Sequence, residues 1–366
     1  MAFKTENVIT PKEKCPYELM VIDSDTPLLT AAKMVQTDYV LVKHIASGHV
    51  QRFKNVTEFH GHWKSKSGGA LKVMNDKRIA KGQEPLSVDD FEIEECAELN
   101  TEITDHLNKA IESFDFFVGR MKRLNFADDY LLVIGGQGNF RKTLGKTLPY
   151  KGKRSVKPLL FAEVKEAIIQ KYKRKIHVCD DEEADDVCSI LAYKDYLNFL
   201  ETGQKKIVLG YVDKDLKMCL SDQFNYGDSE PVIVTQTIEE ATKHFCSQLL
   251  SGDLSTDNIL GLPNFSDDVR EKYKLGKTRG IGRTTAEKYL SGCATIKEMF
   301  ERVVEAYRGY YGDDKKPFLS WDGNTYEWNW LDYLQDSALM LWLRREEGEL
   351  YSIEEVLKEL EIKYES

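Results

Sequence analysis

Residues 180–186 read Asp180-Asp181-Glu182-Glu183-Ala184-Asp185-Asp186, six carboxylates in seven positions, and they follow the short apolar run 176–179. A helix N-terminus favours an acidic residue only within its first turn, and by about 0.3–1 kcal/mol. The helix that this stretch should open therefore cannot compensate six charges. A solvated acidic helix start with an N-cap Asp is the simple interpretation. A site that binds positive charge is the alternative, and acidic residues elsewhere in the chain favour it.

The segments around this stretch predict a parallel α/β sheet. Strands are expected at 17–22, 130–134, 176–179 and 206–212, and helices at 28–35, 103–124, 162–172 and 184–200 alternate with them. Such alternation is typical of a parallel sheet, and ligands bind in the crevice outside the carboxyl ends of its strands. An acidic residue at one of those ends is therefore expected to face a shared crevice.

Acidic residues follow the predicted strands and one predicted helix at four places in the chain. They are Asp23 and Asp25, Glu183 with Asp185 and Asp186, Asp213 and Asp215, and Asp253 and Asp257. Any one of them is more often a cap or turn residue than a ligand, but four similar positions indicate one site. Carboxylate oxygens suit Mg²⁺ or Mn²⁺, whereas zinc prefers His and Cys. Two such ions about 3.5–4 Å apart are the usual device for phosphodiester hydrolysis, so we predict metal-dependent cleavage of a nucleic-acid backbone.

The composition predicts a soluble globular protein. Of the 366 residues, 42% are hydrophobic. No apolar run approaches the roughly 20 residues of a membrane span, and the first residues lack the order of a signal peptide. We therefore expect a cytoplasmic protein with no membrane partner. The seven cysteines are scattered and none forms a Cys-x-x-Cys pair, which argues against both a disulfide framework and a thiolate zinc site.

The charge is unevenly distributed along the chain. The formal net charge is −10, yet residues 141–175 contain twelve Lys or Arg and only two Glu, a net +10 that leaves −20 for the remainder. An acidic protein would ordinarily not bind nucleic acid, because phosphate binding needs Lys and Arg. A basic lobe in an otherwise acidic protein instead indicates that the lobe binds a polyanion and that metal ions occupy the acidic site.

A second motif is Arg279-Gly280-Ile281-Gly282-Arg283-Thr284, which opens a predicted helix. The free backbone N–H groups at a helix start can receive a phosphate. The motif fails as a dinucleotide fingerprint, because no strand precedes it and no third glycine follows at the required spacing. Neither Gly-Lys-Thr triplet of the chain has the earlier glycine of a P-loop. A backbone clamp of the helix-hairpin-helix type fits better, and an ordinary helix start is the alternative.

Seven elements, in order, resemble the 5′ nuclease (flap endonuclease) superfamily, and within it the 5′ to 3′ exonucleases of tailed bacteriophages, over about residues 17–292. They are Val21-Ile22-Asp23, Asn139-Phe140-Arg141-Lys142, Tyr150-Lys151-Gly152-Lys153-Arg154, Glu183-Ala184-Asp185-Asp186, Asp213-Lys214-Asp215-Leu216, Gly252-Asp253 through Asp257-Asn258, and Gly280-Ile281-Gly282. The resemblance implies a PIN-like α/β fold with a mainly parallel sheet, flanking helices, a helical arch and a helix-three-turn-helix DNA clamp.

The same resemblance divides the chain into three regions. A nuclease domain would span 1–235, with an insertion at about 36–99 and the arch at about 141–175. A DNA-binding region would follow at 236–300, and a helical C-terminal extension at 301–366. In that extension Trp321, Trp328, Trp330 and Trp342 predict packed helices rather than a platform for stacked bases.

The resemblance also implies roles for individual residues. The metal-binding acids would be Asp23, Glu183, Asp185, Asp186, Asp213, Asp215, Asp253 and Asp257. The residues in contact with nucleic acid would be Arg141, Lys142, Tyr150, Lys151, Lys153, Arg154, Gly280, Gly282, Arg283 and Thr284. Catalysis would involve Lys151, which matches the lysine that contacts the scissile phosphate, together with Arg154, Asp186 and Asp213. The implied cofactors are two Mg²⁺ or Mn²⁺ ions, with K⁺ beside the clamp glycines.

The chain departs from the family pattern in three places. Gly135-Gly136 stands where many relatives carry an acid at the end of the second strand, so a water or a neighbouring acid would replace one ligand. The spacing from Asp253 to Asp257 is one residue longer than the commonest form. Residues 264–279 separate the turn at Gly261-Leu262-Pro263 from the one at Gly280, whereas in relatives these two turns are almost adjacent in sequence.

The sequence thus predicts a 5′ nuclease that hydrolyses DNA, or RNA primers in hybrids, from 5′ ends or flaps in replication, recombination or host DNA degradation. We expect a monomer that works with replication proteins, in the host cytoplasm if a phage encodes it. Two alternatives stay open. One is a catalytically weak or inactive structure-specific DNA-binding protein on the same fold, motivated by Gly136. The other is a PIN-like ribonuclease such as a toxin, which the Gly280 motif disfavours.

Overall fold

A computed structural model describes residues 17–62, 68–152, 156–276 and 280–364. Within these ranges the strands are β1 (Tyr17–Asp23), β2 (Gln36–His44), β3 (Val50–Phe53), β4 (Phe91–Leu99), β5 (Ala127–Gly135), β6 (Ile176–Cys179), β7 (Ile207–Tyr211), β8 (Asp222–Asn225), β9 (Val234–Thr235), β10 (Lys316–Leu319) and β11 (Thr325–Trp328). The α-helices are α1 (Asp25–Lys33), α2 (Val56–His60), α3 (Ala70–Ile79), α4 (His106–Leu124), α5 (Arg141–Leu144), α6 (Phe161–Tyr172), α7 (Ala184–Thr202), α8 (Ile238–Ser251), α9 (Asp267–Lys272), α10 (Arg283–Tyr289), α11 (Ile296–Tyr311), α12 (Trp330–Leu341) and α13 (Ile353–Glu359). Two short 3-10 helices lie at Val88–Asp90 and Lys214–Met218. None of the described helices combines the length and the apolar character needed to cross a membrane.

The chain forms two compact units that interrupt each other in sequence. The first unit comprises the residues up to 26, residues 119–156 and the residues from 172 onward. The second unit comprises residues 27–118 and 157–171. All the acidic residues of the predicted site belong to the first unit. The boundaries differ from those of the three regions implied by the resemblance, and that division stays a prediction.

The first unit is built on a six-stranded sheet with the order β6-β5-β1-β7-β8-β9. All neighbouring strands are parallel except β8 and β9. Strand β1 lies in the middle, and its residues Met20, Val21 and Ile22 are all buried, as expected for a strand covered on both faces. The carboxyl ends of β1, β5, β6 and β7 therefore lie along one edge. The predicted mainly parallel α/β sheet is confirmed.

Helix α7 packs on this sheet directly after β6. Its buried residues Ala184, Cys188 and Ala192 recur every four positions and so form one face. The small side chains of that face allow the helix to lie close to β1, β5 and β7. The helix begins at the acidic stretch, which places the stretch at the carboxyl edge of the sheet.

The C-terminal helices belong to the same core as the sheet. Val21 and Leu209 of the sheet share one hydrophobic cluster with Val303 and Tyr307 of α11 and with Trp330 of α12. The region beyond residue 300 is not entirely helical, because β10 and β11 pair as an antiparallel hairpin between α11 and α12. Residues 301–364 thus complete the core of the first unit.

The second unit contains an antiparallel sheet with the order β3-β2-β4. Strands β2 and β3 form a hairpin. Val40, Val42 and Phe53 of this sheet pack with Phe59 of α2 and Leu71 of α3 in a separate small core. The insertion predicted at 36–99 therefore carries a sheet of its own.

Candidate metal and nucleic-acid site

Asp23 is the last residue of β1, and only 2% of its surface is exposed. The backbone N–H of Asp25 donates to Asp23 Oδ1 at 3.2 Å, and the Tyr226 hydroxyl donates to the Asp23 backbone carbonyl at 3.0 Å. These bonds fix the direction in which the chain leaves β1. The Asp23 carboxylate is therefore held at the carboxyl edge of the sheet.

Two other predicted ligands, Asp185 and Asp213, interact electrostatically with the Asp23 carboxylate. Burial raises the pKa of Asp23 to about 8, with further contributions from the negative charges of Asp25 and Asp213. Burial also raises the pKa of Asp185 well above its usual range, and the charges of Asp23 and Asp213 add to the effect. Like charges that are removed from water disfavour their ionised forms. The carboxylates that follow β1, β6 and β7 in the chain thus interact electrostatically, with an excess of negative charge.

Asp215 joins this group through the 3-10 helix that follows β7. Asp213 is the N-cap of that helix and accepts a hydrogen bond from the Asp215 backbone N–H at 3.0 Å. Burial, followed by the nearby charge of Asp213, raises the pKa of Asp215 to about 7. The Gln248 amide donates to Asp215 Oδ1 at 2.5 Å. Asp215 is therefore oriented by both α8 and its own helix.

The loop after α8 supplies Asp253 and Asp257. Lys214 Nζ lies 2.7 Å from Asp253 Oδ2, and this bond and charge outweigh burial and hold the pKa of Asp253 below its usual range. Asp253 also accepts the Thr256 backbone N–H at 3.1 Å, which closes the loop. Asp253 thus has a positive partner in Lys214.

Lys151 adopts a left-handed backbone conformation, with φ of 57°, and its N–H donates to the Asp257 carbonyl at 2.7 Å. Its ammonium group contacts the Glu183 carboxylate and lies 3.8 Å from Asp257 Oδ1. The Tyr150 hydroxyl donates to Glu183 Oε2 at 2.6 Å. Burial opposes ionisation of Glu183, but Lys151 and Arg141 outweigh it and lower its pKa. The structure therefore places Tyr150 and Lys151 beside Glu183 and Asp257, and the roles that the resemblance implies for them stay predictions.

Arg141 and Asp186 form a buried bidentate ion pair with N–O distances of 2.6 and 2.7 Å. Arg141 is 1% exposed and Asp186 is 0% exposed. Asp186 also accepts the backbone N–H groups of Glu183 and Arg344, each at 3.2 Å. These contacts differ from the sequence expectation, in which Asp186 binds metal and Arg141 contacts nucleic acid. Because both side chains are enclosed and paired, the geometry favours a structural role for them.

The glycines at the end of β5 are explained by close approaches. A Cβ on Gly136 would lie 1.7 Å from the backbone oxygen of Cys179, so no side chain fits there. At Gly135 the N–H donates to Asp25 Oδ1 at 2.8 Å, and a Cβ would lie 2.9 Å from Asp25 Oδ2. The Asp25 carboxylate thus occupies the space next to the position where relatives carry an acid. The sequence marked Asp25 as one of the recurring acids but did not select it as a ligand.

The predicted clamp is exposed. Gly282 is the N-cap of α10, and residues 282–284, which include Arg283 and Thr284, face solvent. No described atom comes within 4 Å of a Cβ built on Gly282, and the nearest to one on Gly280 is the Pro263 backbone oxygen at 3.7 Å. The fold itself therefore does not require glycine at either position, which leaves room for a ligand backbone.

A cavity of about 240 Å³ connects this motif with the loop of Asp253. Its lining includes Lys214, His244, Ser247, Gln248 and Arg283. Three buried polar atoms of α8, His244 Nε2, Ser247 Oγ and Gln248 Oε1, have no hydrogen-bond partner among the described residues. Burial and the charges of Arg283, Lys217 and Lys214 lower the pKa of His244 to about 3. The lining therefore contains two cations, Lys214 and Arg283, besides the Asp253 carboxylate that pairs with Lys214.

Other predicted contacts with nucleic acid fall in the basic lobe. Lys142 is exposed on α5. Lys153 and Arg154 lie outside the described residues, so the roles predicted for them stay predictions.

No protein-family model matches the chain, and no curated protein matches it. Among solved structures, the chain is similar to a bacteriophage T5 flap endonuclease in a pseudo-enzyme-product complex with DNA and metal ions, at 15% identity over 63% of this chain and 90% of that chain, with a TM-score of 0.33. It is also similar to a T5 protein co-crystallised with metal ions, at 14% identity over 79% and 88% with a TM-score of 0.32. A mutant T5 5′-exonuclease gives 13% identity over 63% and 92%, with a TM-score of 0.33.

The chain resembles the 5′ nucleases. The matched structures are of the group that the seven sequence elements resemble. At TM-scores of 0.32 and 0.33 the similarity carries no information about the activity of this chain.

The chemistry of the acidic group fits a hard divalent cation. Asp23, Asp185, Asp213 and Asp215 offer only oxygen donors, which Mg²⁺ and Mn²⁺ prefer. The raised pKa values of Asp23 and Asp185 arise from burial beside like charges, which a cation would relieve. Among the described residues, however, no three His, Cys, Asp or Glu side chains converge on one point that could hold an ion. The donors are thus of the right kind, but they do not form a closed ligand shell.

Proposed function

We propose that this chain is a metal-dependent 5′ nuclease that hydrolyses phosphodiester bonds of DNA at 5′ ends or flaps, with RNA primers in hybrids as further substrates. The observation that supports it is the electrostatic interaction among Asp23, Asp185 and Asp213, in which burial and the nearby like charges raise the pKa of Asp23 and Asp185. Buried acids that face one another are typical of a site that binds cations.

Asp23, Asp185, Asp213 and Asp215 are the residues we assign to metal binding. Bound Mg²⁺ or Mn²⁺ would supply Lewis-acid stabilisation of the phosphate charge and a lower pKa for the attacking water. We assign Asp25 to the same group, because its carboxylate fills the space beside Gly135. Asp253 and Asp257 neutralise and orient Lys214 and Lys151.

Lys151 is the residue we assign to the scissile phosphate. Its ammonium group now contacts Glu183, and only 15% of its side chain is exposed. A lysine ammonium is a compact point charge that binds phosphate oxygens without a fixed geometry. An incoming phosphodiester would therefore compete with Glu183 for it, while Tyr150 keeps Glu183 in place through its hydroxyl.

The duplex would be held away from the acids. Residues 282–284 are exposed, and among the described residues no atom lies within 4 Å of a Cβ built on Gly282. Main-chain N–H groups bind phosphates regardless of base sequence. We therefore expect binding that depends on the structure of the substrate and on salt rather than on base sequence.

The test uses a duplex with a labelled 5′ flap, incubated with the purified chain in Mg²⁺, Mn²⁺ or EDTA. Cleavage in either metal and none in EDTA is expected. Asp213→Asn should abolish cleavage without loss of DNA affinity, whereas Asp128→Asn, a matched change at an exposed residue near the start of β5, should have no effect. Cleavage that persists in EDTA, or in Asp213→Asn, would refute the proposal.

A catalytically inactive, structure-specific DNA-binding protein on the same fold is the second candidate. It is favoured by the absence, among the described residues, of three side chains that converge on an ion. It predicts that the flap duplex binds in every metal but is never cut. A single-stranded RNA of the same length tests the ribonuclease alternative, which would be supported by faster cleavage of RNA than of the DNA flap.

A further inference from the structure

The segment 140–147, which leads to Tyr150 and Lys151, is held by the C-terminal region of the chain. The carboxylate of Asp336 on α12 accepts the backbone N–H of Lys146 at 2.8 Å. It also accepts the Thr147 backbone N–H at 3.2 Å and the Thr147 hydroxyl at 2.7 Å. Asp336 is only 5% exposed, so these three donors satisfy a buried charge. One side chain of α12 thus fixes two consecutive peptides of the segment.

The turn between β10 and β11 contacts the same segment from its other side. The indole N–H of Trp321 donates to the Gly145 carbonyl at 2.9 Å. The Ser320 hydroxyl donates to the Lys146 carbonyl at 2.8 Å. At Gly145 an added Cβ would lie 2.8 Å from the Met340 sulfur, which shows how closely α12 approaches.

The start of the segment is attached just as firmly. The Arg141 guanidinium, which pairs with Asp186, also donates to the backbone carbonyls of Met340 and Trp342, at 3.1 and 2.5 Å. The Arg344 guanidinium stacks on the Phe140 ring at 3.4 Å. Both ends of the segment are therefore bound to residues 320–344.

The far end of this stretch reaches the acidic site. The Asn258 amide donates to the Pro149 carbonyl at 2.9 Å, and the Lys151 N–H donates to the Asp257 carbonyl. Only Leu148, Pro149 and Tyr150 separate Thr147 from Lys151. A displacement of residues 146 and 147 would consequently move the Lys151 ammonium relative to the acids.

We propose that residues 320–344 position Lys151 for the reaction and that Asp336 is the principal positioning residue. This rests on the proposed nuclease function. The segment forms only one short helix of its own, α5, so the bonds from Asp336, Trp321 and Ser320 replace the secondary structure that it lacks. None of these three residues is in the acidic site, and none is assigned to substrate.

The test compares the full-length chain with Asp336→Asn. An asparagine amide has one acceptor oxygen and one N–H₂ group, so in either orientation it turns a donor toward one of the N–H groups that Asp336 now accepts. Asp314→Asn is the matched control, because Asp314 is an exposed residue of the same region. Trp321→Phe is the second variant, since it keeps a six-membered aromatic ring and removes the indole donor together with the five-membered ring that carries it.

Four quantities are measured for each variant: the single-turnover rate of flap cleavage in Mg²⁺, the DNA affinity in EDTA, the melting temperature, and hydrogen exchange of residues 140–152 by mass spectrometry. For Asp336→Asn we expect faster exchange in 140–152 and a rate about 10- to 100-fold lower, because small misplacements of a catalytic group cost that much. DNA affinity should not change. Trp321→Phe should show the same pattern to a smaller extent, and Asp314→Asn should match the wild type.

Faster exchange with an unchanged cleavage rate would overturn the positioning role. Unchanged exchange would overturn the claim that Asp336 holds the segment. A fall in rate that merely parallels a fall in melting temperature, with exchange accelerated throughout the chain, would show a general loss of stability instead. A wild-type chain that cuts no substrate would refute the proposed function, and the exchange measurement would still decide whether Asp336 fixes the segment.

Discussion

Replacement of Arg141 by methionine tests whether this residue supports the fold or contacts nucleic acid. Methionine keeps the length and apolar character of the side chain and removes the guanidinium group. Among the described residues, the Arg141 guanidinium makes five hydrogen bonds in the interior, to Asp186, Glu183, Met340 and Trp342. Their loss leaves a buried carboxylate without its counter-charge and two carbonyls without a donor.

The expected cost is about 3–5 kcal/mol in the free energy of unfolding, the usual effect of breaking a buried ion pair from one side. The backbone N–H groups of Glu183 and Arg344 still reach Asp186 at 3.2 Å, which keeps the value within that range rather than above it. The double variant Arg141→Met with Asp186→Asn should be more stable than Arg141→Met alone, because it leaves no buried unpaired charge.

The assay is urea unfolding in EDTA, followed by tryptophan fluorescence, together with the anisotropy of a labelled flap duplex. Lys142→Met is the matched control, since Lys142 is the exposed neighbour on the same helix. It should keep the urea midpoint and lower the DNA affinity, with a salt dependence reduced by about one phosphate contact. Our reasoning would be refuted if Arg141→Met kept the urea midpoint and weakened DNA binding as Lys142→Met does.

Three further predictions concern the acidic site and the clamp. Gly136→Ala should lower the free energy of unfolding by about 1–3 kcal/mol, a typical overpacking cost, because the added Cβ would meet the Cys179 carbonyl. Urea unfolding measures this loss of stability, and a loss near zero would contradict the geometry. Gly280→Ala should leave the urea midpoint unchanged and lower DNA affinity, as measured by anisotropy; unchanged affinity would mean that no ligand backbone approaches this glycine. The pKa of Asp23 is raised from 3.8 to about 8, so the folded chain binds this proton more tightly than the unfolded chain does. As pH rises through that interval, ionisation of Asp23 therefore lowers the stability of the metal-free chain. The melting temperature of Asp23→Asn, measured relative to that of the wild type in EDTA, should therefore be higher at pH 8 than at pH 5. The same difference in melting temperature at both pH values would contradict the raised pKa of Asp23.

The sequence predicts the central sheet well because the sheet depends on local patterns. The apolar runs expected at 17–22, 130–134, 176–179 and 206–212 are strands β1, β5, β6 and β7, with bounds that differ by at most three residues. Parallel connection through helices then places their carboxyl ends together, whatever the details of packing. The proximity of Asp23, Asp185 and Asp213 follows from that topology.

The sequence could not assign a role to each acid in the first turn of α7. Asp185 and Asp186 are neighbours, but successive helical residues point about 100° apart. Asp185 turns toward Asp23, and Asp186 turns toward Arg141, which is 45 positions earlier in the chain. A motif records that both residues are acidic and carries no information about which one has a basic partner. The metal roles of the remaining acids stay predictions.

The contacts that hold the segment 140–147 had no signal in the sequence. Asp336 lies 190 positions from Lys146, and Trp321 lies 176 positions from Gly145. An isolated Asp in an amphipathic helix is normally a surface residue. The structure shows instead that Asp336 is buried and that its hydrogen-bond donors, Lys146 and Thr147, come from a distant part of the chain.

The shared core of the first unit has a consequence for synthesis. Val21 of β1 and Leu209 of β7 belong to the same hydrophobic cluster as Val303, Tyr307 and Trp330, which leave the ribosome long after the strands themselves. Domains fold during synthesis only when all of their core has emerged, at about 5–20 residues per second. This unit therefore has to wait for nearly its whole length. A nuclease with this arrangement would form its active site only after Trp330 has left the ribosome, so that shorter nascent chains carry the acids but do not assemble them.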